Sequence, residues 1–174
     1  MTAILLQDLY DHPRVVPALI VAVGLGALAA ALASQHWGGL QPCVLCYYQR
    51  YAYLGAIAFG LLGLLAGPRG RARRAAVALA GLAFLTGAAI AAFHVGVEQL
   101  WWRGTAGCQA PAFDPNASIA ELRKRLLETR FIPCDEVSWS LFGISMAGYN
   151  VLASLGLALA SFWAAHNIIR RRGA

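Results

Sequence analysis

The chain has 174 residues, of which 59% are hydrophobic and 13% charged, and its mean hydropathy is +0.59. That composition excludes an ordinary soluble domain of this length. The formal net charge of +6 is gathered into short flanking clusters rather than spread over a surface, which argues against nucleic acid as a partner and for a chain that crosses a bilayer.

A helix needs about 20 apolar residues to span the hydrocarbon core. Four runs meet this need, roughly Val15–Ser34, Tyr47–Ala66, Ala75–Gln99 and Leu141–Ala165. They predict an all-α fold: an integral membrane four-helix bundle in one membrane domain covering residues 1–174, with a long outer loop at about 100–140. The first run is read as a retained helix rather than a signal peptide, because signal h-regions extend over only about 7–15 residues. Its Gly24 and Gly26 suit close helix packing. A short exit, Gln35 to Pro42, leads to the second helix, with Pro42 placed for its first turn. Cys43, Cys46, Tyr47, Tyr48, Gln49 and Arg50 then occupy the first two turns, followed by Gly55, Gly60 and Gly63 at packing positions.

Arg69, Arg71, Arg73 and Arg74 crowd the next connection, and Arg170, Arg171 and Arg172 end the chain. Basic short flanks mark the cytoplasmic side, so both termini are expected there. The third helix carries His94 and Glu98 near its outer end, followed by Trp101 and Trp102 at the depth of an interfacial aromatic belt. The loop from Leu100 to Ser140 has five basic and five acidic residues and belongs outside. Within it, glycines flank Cys108 and predict flexibility. Ser118 and Glu121 form a capping-box pattern opening a short amphipathic helix with Ile119, Leu122 and Leu126 on one face. In the fourth helix, Asn150 is expected to make an interhelical hydrogen bond.

All four cysteines, Cys43, Cys46, Cys108 and Cys134, therefore fall on one side of the membrane. Two residues between Cys43 and Cys46 put both sulfurs within one helical turn, close enough for a small disulfide ring, and a helix N-terminus favours thiolate there. Arg50 lies four residues beyond Cys46, on the same face. An arginine inside a spanning segment marks function by default, although one near the end can also snorkel to the interface. A zinc centre needs four ligands with paired spacings, which Cys108 and Cys134 do not supply, and c-type haem needs a histidine where Tyr47 stands; no metal site is predicted. Two structural disulfides remain the plain alternative, open above all for the loop cysteines. His94 and Glu98 are spaced i, i+4, so they read either as a proton-handling pair or as a solvated interfacial one.

With these residues in view, the chain resembles the DsbB family of membrane disulfide-forming proteins along nearly its whole length. The resemblance rests on Pro42-Cys-Val-Leu-Cys46 opening the second helix, Arg50 four residues later, and an outer loop with Cys108 and Cys134. It also rests on Cys134-Asp-Glu-Val-Ser-Trp139 followed by Leu141-Phe-Gly-Ile-Ser-Met-Ala-Gly-Tyr-Asn150. It implies a monomer in the bacterial inner membrane, with its cysteines on the periplasmic side. The implied activity is that of a thiol:quinone oxidoreductase, serving a periplasmic thioredoxin-like DsbA protein and the quinone pool (ubiquinone or menaquinone). Two redox-active disulfides are implied, Cys43–Cys46 facing the quinone and Cys108–Cys134 facing the partner. Arg50 and Cys46 would bind quinone, and His94 would lie near it. Vitamin K epoxide reductase-like enzymes share the parts, but their CxxC comes late in the chain. A membrane scaffold with inert disulfides is the reading from a different class.

Overall fold

The computed structural model describes residues 14–66, 70–108, 118–120, 123 and 132–170, with side chains in the last helix to residue 167. Most of the segment expected to form the amphipathic loop helix lies outside the described residues. Four long helices dominate: α1 (Val15–His36), α2 (Val44–Leu65), α3 (Gly70–Glu98) and α4 (Met146–Arg170). Three of them, α1, α3 and α4 through Asn167, are long and apolar enough to cross a membrane. The 22-residue α2 is comparable in length, but Gln49, Arg50 and its tyrosines make its first half less apolar.

Helix α3 is the spine of the bundle, packing against α2 and α4, while α1 packs on α2. The shared core joins Ile20, Tyr53, Ala56, Val77, Ala80, Phe84 and Ala158. Leu25, Leu61, Leu82 and Leu159 point outward, as expected for a surface solvated by lipid. Between helices surrounded by hydrocarbon, association depends on close packing rather than on expelling water. The α1–α2 seam shows how this is met. A methyl group added at Gly60 would lie 2.8 Å from Val21 and 3.1 Å from Ile20, and one at Gly24 would lie 2.6 Å from Ile57. At the opposite end of the bundle from the cysteines, Arg73 donates to the Ala66 carbonyl at 2.9 Å and satisfies the C-terminus of α2.

Three boundaries differ from the sequence expectation, each for a local reason. Helix α2 begins at Val44, three residues early, and Cys43 lies outside it as the N-cap, with extended backbone (φ −78°, ψ 174°). Pro42 therefore precedes the cap instead of occupying the first turn. Helix α3 reaches back through the arginine cluster to Gly70. Helix α4 starts only at Met146, because residues 140–145 form a small antiparallel hairpin, a departure from an all-α chain. Strands β1 (Ser140–Leu141) and β2 (Ile144–Ser145) pair Ser140 with Ser145 and Leu141 with Ile144. Phe142 and Gly143 turn between them with φ of 50° and 76°, the two positive values that a tight hairpin turn requires and a helix forbids. Ser145 then caps α4 by accepting from the Gly148 N–H at 3.1 Å.

The α1–α2 seam yields a stability test. Gly60→Leu should lower thermal stability in detergent by about 1–3 kcal/mol through overpacking. Gly26→Leu, where an added side chain meets open space, should change it little. Equal effects at the two positions would contradict the seam.

Candidate functional site

The CxxC pair is held by the first turn of α2. The Cys43 sulfur accepts from the Cys46 backbone N–H at 3.4 Å, the side-chain capping contact that orphan N–H groups of a helix start require. Both cysteines are free, with their sulfurs 3.2 Å apart, so a small closing movement would reach the disulfide distance of about 2.05 Å. Cys43 is buried, whereas Cys46 is half-buried and borders a cavity.

His94, on α3, completes the cluster. Its Nε2 lies 3.6 Å from the Cys43 sulfur and 4.0 Å from Glu98 Oε1. Its Nδ1 lies 3.1 Å from Gln49 Nε2. The His94 and Glu98 side chains are only 6% and 5% exposed, which removes the solvated interfacial pair as a reading. Glu98 also accepts a hydrogen bond from the Ser145 hydroxyl, so the capping residue of α4 is tied to the end of α3. Sequence spacing did not foresee that His94 joins Cys43 and Cys46, yet among the described residues these three form a group whose ligand atoms lie within 4.8 Å of one another.

Cys108 and Cys134 are joined by a disulfide, with Cα atoms 5.2 Å apart. It does not stand out in solvent as glycine-rich flanks suggested. Cys134 is fully buried and Cys108 is 8% exposed. Both pack in one cluster with Cys43, Leu45 and Val97, and the Cys134 backbone also interacts with the His94 ring. The flanking glycines serve close approach rather than free motion. A methyl group at Gly104 would sit 2.5 Å from Cys108 Cβ, and one at Gly107 would sit 3.3 Å from Val44.

A cavity of about 290 Å³ opens beside Cys46. Ala27, Leu28, Ala30 and Ala31 of α1 form an apolar wall, and Cys43, Cys46, Gln49, Arg50, His94, Glu98 and Asn150 supply its polar side. Arg50 donates to Gln35 Oε1 at 2.7 Å and to the Ala31 carbonyl at 3.1 Å, and it lies over the Tyr47 ring at 5.4 Å. These contacts hold its charge beside the cavity.

The family model described as "Disulfide bond formation protein DsbB" matches residues 13–164. The chain belongs to the DsbB family. Similar proteins include "Disulfide bond formation protein B" of Marinobacter nauticus, 35% identical over 151 residues covering 83% of this chain and 87% of that protein. That of Stutzerimonas stutzeri is 32% identical over 158 residues, covering 83% and 91% respectively. That of Xanthomonas campestris is 34% identical over 150 residues, covering 85% and 86%. Membership of DsbB assigns the chain to disulfide bond formation in a membrane setting.

Sequence reading missed Gln49, Tyr53, Ser154, Gln35 and Ser145 as parts of the site. Tyr53 and Ser154 flank Asn150: the Tyr53 and Ser154 hydroxyls donate to Asn150 Oδ1 at 2.9 and 3.0 Å, and Asn150 Nδ2 donates to Gln49 Oε1. The available signal was a pair of polar i, i+4 couples, Gln49 with Tyr53 and Asn150 with Ser154, inside otherwise apolar helices. Asn150 itself makes the interhelical bond expected of it.

The docked disulfide can be checked directly. Gly104→Ala should loosen it, and Cys108–Cys134 should then be reduced several-fold faster by dithiothreitol than in the parent protein, as read by thiol alkylation. An unchanged rate would show that the loop does not need this contact.

Proposed function

We propose that this chain is a thiol:quinone oxidoreductase of the bacterial inner membrane, with its cysteines on the periplasmic side. It reoxidises a periplasmic thioredoxin-like dithiol protein of the DsbA type and passes the electrons to membrane quinone. The observation that carries this reading is the packing of both cysteine pairs into one cluster, of which Cys43 and Cys46 line the cavity.

The cavity suits a quinone. A quinone ring is flat and apolar and carries two carbonyl oxygens, so it needs an apolar wall and hydrogen-bond donors. The alanines of α1 offer the wall, and Arg50 offers N–H groups on the polar side, with His94 beside it. Bound there, a quinone supplies an acceptor for two electrons and two protons. The chain's own residues do the remainder. A partner thiolate attacks the Cys108 sulfur; a partner–Cys108 bond forms, the Cys108–Cys134 bond breaks, and Cys134 leaves as thiolate. Cys134 next attacks Cys43 of an oxidised Cys43–Cys46 pair, releasing Cys46 as thiolate at the cavity. Each step exchanges one S–S bond for another. The partner's second thiolate then attacks the partner sulfur of the partner–Cys108 bond, which forms the partner's disulfide and releases Cys108; Cys108 attacks Cys134, restoring the loop disulfide and releasing Cys43. In sum, one partner dithiol becomes one disulfide, and two electrons and two protons leave from the reduced Cys43–Cys46 pair. Because Cys108 is buried, the loop disulfide has to lift from the helix ends before a partner can reach it. Arg50 sits where it can stabilise a Cys46 thiolate and hold the acceptor.

Purified protein given a reduced DsbA-like dithiol should reduce ubiquinone, and Cys46→Ser should abolish the reaction. Arg50→Ala should raise the quinone KM about tenfold, the scale of one hydrogen bond to a charged group, and should impair exchange with the dithiol partner less. Full quinone reduction by Cys46→Ser would show that another thiol faces the acceptor.

A further inference from the structure

We propose that Gln49 is a positioning residue that fixes the neutral imidazole of His94 as its Nε2–H tautomer and so aims a hydrogen-bond donor at the Cys43 sulfur. One neighbouring atom has no choice of role. The Leu45 carbonyl oxygen can only accept, and Gln49 Nε2 donates to it at 3.3 Å. That contact sets which end of the amide faces this side, since the reverse orientation would bring two oxygens together. The same amide nitrogen lies 3.1 Å from His94 Nδ1. A side-chain NH₂ group has no acceptor capacity, so Nδ1 must present its lone pair, and in the neutral ring the proton is then on Nε2.

The far end of the network agrees. Gln49 Oε1 accepts from Asn150 Nδ2, and Asn150 Oδ1 accepts from the hydroxyls of Tyr53 and Ser154 at 2.9 and 3.0 Å. Hydroxyls can rotate to suit either amide orientation; the Leu45 carbonyl cannot. Polarity therefore runs one way, from the α2 backbone through Gln49 to the ring. Gln49 and His94 are 7% and 5% exposed, which leaves water little room to substitute for either partner.

On its other side, the ring meets acceptors. The Cys43 sulfur is 3.6 Å from Nε2, Glu98 Oε1 is 4.0 Å away, and the Cys134 backbone also lies against the ring. A metal held by Cys43, Cys46 and His94 would require the Nε2 lone pair. The amide instead places a proton there, so the ring presents a fixed donor toward the Cys43 sulfur. This deepens the proposed thiol chemistry and rests on it for purpose: when Cys43 is attacked or leaves, the N–H that meets its developing charge is already in place and no dipole has to turn.

The tautomer can be read without quinone or partner, so failure of the proposed activity and failure of this inference are separable. In the full-length protein labelled with ¹⁵N-histidine, the His94 resonances are assigned by loss in His94→Gln. At a pH where the ring is neutral, Nε2 should have the protonated, pyrrole-type shift and Nδ1 the unprotonated, pyridine-type shift; the reverse pattern would overturn the inference. Gln49→Glu replaces the donor with an acceptor of equal length, so Nδ1 should gain a proton. If Nδ1 stayed unprotonated in that variant, Gln49 would not be what sets the ring. In a Cys46→Ala background, adding Gln49→Glu should shift the pH midpoint of Cys43 alkylation, and an unmoved midpoint would mean that the ring does not act on Cys43.

Discussion

One buried hydrogen-bond chain ties three helices together at the reactive end of the bundle. It runs from Tyr53 and Ser154 through Asn150 and Gln49 to His94, linking α4, α2 and α3. An apolar bundle in lipid has little to distinguish one helix rotation from another, because leucine against lipid is nearly as good as leucine against leucine. Polar groups with no water nearby are different: each must find its partner or cost about 1–3 kcal/mol. The network thus selects the rotation at which α2 presents Cys43 and Cys46 toward α3, and α3 presents His94 toward them.

The arrangement of the cysteines depends on that rotation. Cys43 caps α2 because its backbone is extended there and its sulfur meets the Cys46 N–H. The same sulfur faces His94, while Cys46, within the first turn, borders the cavity. The loop disulfide seals the other side of this cluster, closely matched at Gly104 and Gly107. The four sulfurs are thereby collected in or against one hydrophobic cluster, with Cys46 half-buried at the cavity.

Much of the architecture was legible in the sequence, and the misses share a cause. Apolar length located all four helices. The helix starts were misjudged where residues act as caps or turns instead of as members of an apolar run. Cys43 serves as a thiol cap, and Phe142 adopts a positive φ that its identity gives no hint of. Arg50 stood out because a charge is rare in an apolar helix, and the cysteines because they come as two pairs on one side of the chain's helices. His94 and Asn150 were visible as polar residues in apolar surroundings, but not their partners, since contact between Gln49 and His94 spans 45 positions and depends on helix rotation. Burial of the loop disulfide was invisible for a related reason: glycines near a cysteine read equally as a mobile loop or as a close fit, and only packing tells the two apart.

The central claim is that the two cysteine pairs communicate, and the most direct measurement is of the bond through which they would do so. A Cys46→Ala, Cys108→Ala double variant retains only Cys43 and Cys134, which share one buried cluster. After mild oxidation in the membrane, peptide mapping by mass spectrometry should find a Cys43–Cys134 disulfide as the main product, formed within one chain. Two persistent free thiols, or bonds formed only between chains, would contradict a relay between the pairs.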